Sequence, residues 1–546
     1  VAPRPFPSSI LRCRDPVKTV VSSGIRPRLR TALVTVSAAA LLTVALAALL
    51  LVGTQAAAIQ EGDEAIYAQN AREMVEGGDW ATLRWQGEPQ FPRPPLSVWV
   101  MAVGRALAGP THAEAAVRWP LALAVGLEIV LVALLAARLA RRSEASAPRL
   151  AVGMVAGGFL LGSDLVVGYA RFVESEPFLC VAIVGAALAW EHARSSARRG
   201  PIVAWGALVG AAMLTKQIIG AIPLLWPVVE AAWSRLGRAP RPMGRRRLGL
   251  GLAVAVLVWL PWHVVELARH GSRFLEVYLL EAVVRRGAQA VLHVTRPSYY
   301  LRELWRSEDA GAILFGAGLV AAAIAVGRAL VRPPGSGDDP TVTAAATAAR
   351  ERGRVGALLL AWTLAPMAVF TASASRYDHY PLVVYPALAL ALALAIDALP
   401  VGRALRGGLA VAVVALGLVT HTARDLTAPF AGADELRALA RVANQLRPRT
   451  VFLFNLHPYA TRFYLDPAIA TRTLLETQHD LDEGLAAARK GQPVVLTLAP
   501  DPIAALRAAP QPSLLVLPRA RASLLAGAPA VAVVGATARY LLVATR

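Results

Sequence analysis

Residues 63–99 read DEAIYAQNAREMVEGGDWATLRWQGEPQFPRPPLSVW, a polar, charged stretch set between long apolar runs. It opens on two carboxylates, Asp63 and Glu64, shortly after a hydrophobic span, and ends with Arg93 ahead of Pro94 and Pro95. A segment of this kind belongs at a membrane surface. Asp63, Tyr67, Asn70 and Met74 recur at spacings of four, three and four, which predicts one face of a short helix ending at Gly77–Gly78. An acid on that face is placed to take a proton from an acceptor hydroxyl; it also suits the helix macrodipole with no chemistry at all. Arg93 is either a phosphate contact or an arginine snorkelling at a span end.

The rest of the chain supports a membrane setting. Of 546 residues 56% are hydrophobic, and the mean hydropathy is +0.50. Several runs exceed the length needed to cross hydrocarbon, so the chain reads as a mainly α, polytopic membrane protein. The net charge of +20 is carried almost wholly by arginine in short loops, a distribution that fits membrane topology and anionic lipid rather than nucleic acid. Two cysteines, Cys13 and Cys180, make neither a disulfide framework nor a thiolate metal site.

Apolar spans are expected at 31–53, 115–138, 149–168, 174–193, 200–215, 217–233, 248–263, 310–330, 355–373, 380–398 and 407–423. The loops Arg138–Arg149, Arg194–Arg199, Arg235–Arg247, Arg328–Arg354 and Arg403–Arg406 all fall inside if these spans alternate. Residues 94–109 break the alternation as a full crossing and read as a re-entrant or interfacial helix. The N-terminus is then cytoplasmic. Three units follow: a disordered tail at 1–30, a transmembrane domain at 31–423, and an α/β domain at 424–546 on the outer face, with strands at VFLFNL, PVVLTLAP, SLLVLP and ARYLLVAT.

This arrangement gathers the polar patches at 54–93, 169–177, Lys216, 263–309 and 375–380 on one side. Lys216 is one of only three lysines in an arginine-rich chain and lies between two apolar runs, where an ionisable group is a functional candidate. Glu174 and Glu176, with Arg171 and Asp164, sit where one span meets the next; they would orient sugar hydroxyls or bind a metal. Arg285 and Arg286 stand out among the arginines of the 264–309 loop as phosphate ligands. His263, His293, Tyr300, Tyr377 and His379 complete the candidate substrate-binding set. No HxxxH or HExxH spacing occurs, so no motif demands a metal. The acids and histidines leave room for a divalent cation.

Taken in order, DEAIYAQNAREMVEGGDW, WQGEPQFPRPPLSVW, AEAAVRWPLALA, YARFVESEPF, LTKQ, LPWH, EAVVRRGAQAVLHVTRPSYY and RYDHYPLVVYPALALALA resemble the bacterial lipid-linked-sugar glycosyltransferases of the GT-C fold. The likeness is greatest to the aminoarabinose transferase of lipid A and the protein O-mannosyltransferase superfamily, and it covers roughly residues 31–423. The resemblance implies a GT-C helical bundle in the inner membrane, an extracytoplasmic active site, a polyprenyl-phosphate sugar donor, and a lipid, glycan or protein acceptor. It implies that Asp63 is the base or acceptor-binding group and that Arg93, Lys216 and Arg285 or Arg286 meet the donor phosphate. Three departures stand out. Arg93 replaces the lysine that typically precedes the double proline, Pro92 replaces the acid before it, and Gln217 replaces the glycine after the LTK lysine. A cation held by that missing acid and His263 is therefore not expected. From the spans and buried charges alone, a transporter or flippase of a lipid-linked or acidic solute is the alternative, with a non-catalytic sensor third.

Overall fold

The computed structural model describes residues 17–52, 54, 57–109, 113–140, 146–236, 243–285, 298–331, 340–374, 376–417, 419, 434–489, 495–528 and 530–546; for part of these, Arg285 among them, it describes the backbone only. Among them six helices are long and apolar enough to cross a membrane: Ala113–Leu139, Glu176–Ser195, Arg245–His270, Gly311–Val331, Ala345–Ala372 and Tyr380–Asp397. A seventh crossing is counted if the pair Arg149–Leu161 and Asp164–Arg171, bent by 64°, is one span.

Of the other expected spans, 200–215 keeps its bounds, while others are shifted, broken or extended. Gly200–Thr215 and Arg403–Gly417 are helices of 16 and 15 residues. The run at 217–233 divides at Leu224 into a 3-10 turn, Ile218–Leu224, and a helix, Leu225–Arg235, because Pro223 removes a donor inside it. The first helix runs Val17–Leu50 and so begins inside the stretch expected to be a disordered tail; once nucleated in an apolar run, a helix extends at one hydrogen bond per residue. Helix Arg245–His270 extends seven residues beyond the expected end at 263. Leu96–Ala108 has 13 residues, roughly 20 Å of helix against about 30 Å of hydrocarbon.

The first loop is more ordered than its composition announces. Helix Asp63–Gly77 ends at Gly78, whose φ of 70° is the left-handed cap that glycine adopts at no cost. Strands β1 (Leu83–Trp85) and β2 (Glu88–Gln90) then form an antiparallel hairpin around Gln86 and Gly87, both at positive φ, the signature of a tight primed turn. The Glu73 carboxylate accepts from both turn amides, at 2.7 and 3.0 Å, and ties the hairpin to the helix.

The C-terminal part contains a six-stranded sheet in the order β5-β4-β3-β6-β8-β7, with β3 Thr450–Phe454, β4 Ala470–Leu475, β5 Leu496–Leu498, β6 Ser513–Pro518, β7 Val531–Ala536 and β8 Tyr540–Thr545. Its β3 to β6 pairings are parallel, while β8 pairs antiparallel with β6 and β7. The four expected strands are present. The sheet adds β4, ATRTLL, where buried Thr471 and Thr473 alternate with exposed residues, and β7.

The bundle has two chemically different ends. At one, Arg194 pairs with Glu191, Glu230 and Glu351, and Arg354 with Glu191, Glu230 and Glu351. Arg138 donates to the Glu191 carbonyl and Arg406 to Asp397 there. At the other end lie Asp63, Glu174, Lys216 and the Tyr377–Tyr380 turn.

Candidate active site

The hairpin reverses the chain so that Arg93 comes back to the start of the first-loop helix. Arg93 Nη2 donates to Asp63 Oδ1 at 3.1 Å, and the guanidinium lies 4.2 Å over the Tyr67 ring, a cation–π contact. Burial opposes the Arg93 charge, but Tyr67, Asp63 and Glu174 outweigh it and hold the guanidinium firmly protonated. Burial likewise keeps the Tyr67 phenol protonated.

Lys216 follows the last residue of helix Gly200–Thr215. Its Nζ pairs with Glu176 Oε1 and lies 4.7 Å from the Tyr380 ring centroid. Ser175 Oγ stands 3.2 Å from Glu174 and 3.0 Å from Glu176. His379 faces Glu176 at 3.6 Å with one ring nitrogen and Asp378 at 3.5 Å with the other; Asp378 also accepts from the Tyr169 hydroxyl. Burial, the Glu176 charge and Asp63 push the Glu174 carboxyl up to about 7. Burial works against the Lys216 ammonium and the His379 imidazolium, but Glu176 and its neighbours prevail and raise both.

These groups surround one cavity of about 170 Å³, lined by Gly62, Asp63, Ile66, Tyr67, Asn70, Leu83, Gln90, Pro92, Arg93, Pro94, Glu174, Ser175, Lys216, Gln217, Tyr377, His379, Tyr380 and Tyr459. Seven of the residues singled out in the sequence therefore meet: Asp63, Tyr67, Arg93, Glu174, Lys216, Tyr377 and His379. Glu176 stands behind them, fully buried, and acts on the cavity through Lys216.

The others do not join. Glu64 is turned away from its neighbour Asp63 and pairs with Arg118 at 2.9 and 3.1 Å, both side chains 0% exposed. Arg118 also donates to the carbonyls of Thr54, Ala57 and Ala58, so the pair pins the chain entering the first-loop helix. Correcting the expectation for His263, its ring nitrogens are taken by the Trp259 carbonyl at 2.9 Å and the Tyr278 hydroxyl at 2.8 Å, inside an aromatic cluster away from the cavity. Tyr300 is packed in the main apolar core beside Phe370 and does not line the cavity either. The Arg285 side chain, Arg286 and His293 lie outside the described residues. Ser175, Gln217, Tyr380 and Tyr459 were not foreseen. The first three adjoin residues that were, whereas Tyr459 arrives from the α/β domain, and no local pattern in HPYATRFY announces it.

Among the described residues, Glu174, Glu176 and His379 form a group with metal-ligand spacing, one ligand atom of each lying within 4.8 Å of the others. The Lys216 ammonium already supplies a positive charge to Glu176.

Comparison with known proteins agrees with this fold. The family described as dolichyl-phosphate-mannose-protein mannosyltransferase matches residues 92–264. An undecaprenyl phosphate-α-4-amino-4-deoxy-L-arabinose arabinosyl transferase of Pseudomonas fluorescens is 29% identical over 60% of this chain and 54% of its own length. The Pseudomonas aeruginosa protein of that name is 27% identical over 66% of this chain and 61% of its own. The chain thus spans between half and two thirds of the length of these relatives. ArnT from Cupriavidus metallidurans, solved with bound undecaprenyl phosphate, superposes with a TM-score of 0.65 at 20% identity, covering 92% of this chain and 97% of that one. The chain is therefore a multi-span membrane protein with the GT-C fold seen in ArnT, similar in sequence to the aminoarabinose transferases and the dolichyl-phosphate-mannose-dependent mannosyltransferases.

Proposed function

We propose that the chain is an integral-membrane glycosyltransferase that moves a sugar from a polyprenyl-phosphate donor to a lipid, glycan or protein acceptor. The observation that carries this is the convergence of Asp63, Arg93, Glu174, Lys216 and His379, from four separate stretches of sequence, on one cavity at one end of an apolar bundle. The donor class is supported by the names of the two arabinosyl transferases, which carry undecaprenyl phosphate, and of the matching family, which carries dolichyl phosphate. The positive-inside rule favours the arginine-rich end as cytoplasmic. The cavity and the C-terminal α/β domain then lie on the outer side of the inner membrane, with the N-terminus inside.

The donor phosphate is itself the leaving group. Lys216 and Arg93, with His379 beside them, stabilise the charge it gains as the bond from the anomeric carbon to the phosphate oxygen breaks. The acceptor oxygen forms its bond to that carbon from the opposite face, and its proton passes to Asp63, which gives inversion. A phosphate entering here competes with Asp63 for Arg93 and with Glu176 for Lys216. If a divalent cation takes part, Glu174, Glu176 and His379 are the residues to hold it, and it would add Lewis-acid stabilisation of the phosphate.

The test is to incubate purified protein with undecaprenyl-phosphate sugars and an envelope glycolipid extract and to measure release of free undecaprenyl phosphate together with labelled acceptor. Release with transfer is expected. Donor that crosses proteoliposomes intact, with no release, would favour a flippase and end the proposal.

A further inference from the structure

The α/β domain does not merely sit beside the bundle. Its helix Tyr459–Tyr464 is fastened to the first loop at both ends. The Glu61 carboxylate accepts from the amides of Tyr459 at 2.8 Å and Ala460 at 3.2 Å. Arg72 Nη1 donates to the carbonyls of Phe463 at 2.9 Å and Leu465 at 2.7 Å, and the Tyr464 hydroxyl accepts from the Ile59 amide at 2.6 Å. Tyr459, Ala460 and Phe463 share an apolar core with Tyr67, Met74 and Trp85 of the first loop.

This fastening places one side chain of the α/β domain on the cavity wall. Tyr459 is 4% exposed and lines the cavity together with Asp63 and Arg93. Its ring is held edge-on by Trp85, at 5.5 Å and 73°, and stacked on His457, at 5.6 Å and 7°. The phenol feels the charges of Glu61, Asp63 and Arg93, and burial together with the two acids keeps it protonated. A neutral hydroxyl on an immobilised ring beside a carboxylate is suited to hydrogen-bonding a polyol, and aromatic rings pack against the C–H face of a sugar with little entropy left to lose.

We propose that Tyr459 binds the acceptor, its hydroxyl hydrogen-bonding a polar group next to the one that reacts at Asp63 and its ring forming a wall for a sugar ring of that acceptor. Lys216 and His379 come from the ends of the bundle helices, where a lipid-anchored donor must keep its phosphate. Tyr459 comes from the α/β domain, outside the bundle, and shares its part of the wall with Asp63. The inference rests on the transferase reading above and narrows its acceptor to a glycan or glycolipid.

The experiment compares wild type, Tyr459→Phe and Tyr459→Ala as full-length purified proteins, titrating an envelope glycolipid extract at saturating undecaprenyl-phosphate sugar and following slow transfer of the sugar to water in parallel. Tyr459→Phe should raise the apparent KM for the extract about tenfold, the worth of one hydrogen bond, and Tyr459→Ala should raise it further. The extract KM should rise more than the donor KM. An unchanged extract KM in Tyr459→Phe and Tyr459→Ala, with an active wild type, overturns this inference alone. A wild type that transfers to neither extract nor water overturns the transferase reading and this inference with it. Should Tyr459→Ala lose donor turnover through misfolding, Tyr459→Phe decides.

Discussion

Arg93 donates to Asp63 across 30 positions of sequence, at 3.1 Å, so the proposed base and a proposed phosphate ligand hold each other at the mouth of the same cavity. The Asp63 side chain is 36% exposed and that of Arg93 19%. The pair is wet enough to part when a phosphate arrives and dry enough for the charges to matter.

Replacing Asp63 by Asn keeps an oxygen for Arg93 and removes the proton acceptor. Sugar transfer should fall about 10²- to 10⁴-fold while the melting temperature moves little. Undecaprenyl phosphate release, measured beside a thermal unfolding curve, checks both. Full activity in the variant would remove Asp63 from the chemistry.

Lys216 and Glu176 should behave as a unit. Lys216→Met leaves Glu176 buried without its cation and is expected to cost roughly 3–5 kcal/mol as well as donor affinity. Adding Glu176→Gln should recover most of the stability and none of the donor affinity. If the double variant binds undecaprenyl phosphate as wild type does, Lys216 is structural.

Neighbouring acids should give opposite phenotypes. Arg118→Ala strands Glu64, which is 0% exposed, and should destabilise the protein by roughly 3–5 kcal/mol. Glu64→Gln should cost less, and its folded fraction should retain transfer activity. A Glu64→Gln protein that is stable but inactive contradicts this assignment.

Glu61 should make the junction of the α/β domain with the first loop sensitive to pH. Burial pushes its carboxyl from 4.5 up to about 7 against two amide hydrogen bonds. A carboxyl raised in the folded state favours folding fully below its unfolded pKa, and that contribution is lost as pH rises through about 7. Glu61→Gln keeps the acceptor without the charge. Wild type should therefore lose stability relative to the variant between about pH 5 and pH 8, on the order of 2 kcal/mol, read as a difference in melting temperature. Parallel curves across that range would refute it.

Chelation tests the Glu174, Glu176 and His379 group. With Lys216 already paired to Glu176, the site carries its own cation, and transfer should survive EDTA. Loss of activity restored by Mn2+, and absent from Glu174→Gln, would instead assign a metal to these residues.

Much of this was legible in local sequence. Apolar runs had to become helices, because hydrocarbon tolerates no unsatisfied backbone. The spacing of Asp63, Tyr67 and Asn70 put them on one helix face, and all three line the cavity. A rare lysine and two acids between spans marked groups too costly to place there without a partner. Span number was less legible: composition cannot show that Pro223 breaks one run, or that the 13 residues of Leu96–Ala108 stop short of a crossing.

What the amino-acid order settled by itself is the class of the molecule, its apolar helices and the types of residue available for chemistry, since these follow from hydropathy, periodicity and charge along the chain. Tertiary structure alone decided which acid of the Asp63–Glu64 pair faces the cavity. Adjacent helical positions differ by about 100° in direction, and Arg118, which claims Glu64, lies 54 residues further along the chain and is itself fixed by the Thr54 carbonyl 64 residues away. It likewise decided that Tyr459, almost 400 residues after Asp63, completes the wall, because the docking of the Tyr459–Tyr464 helix on Glu61, Arg72 and Ile59 brings the two together.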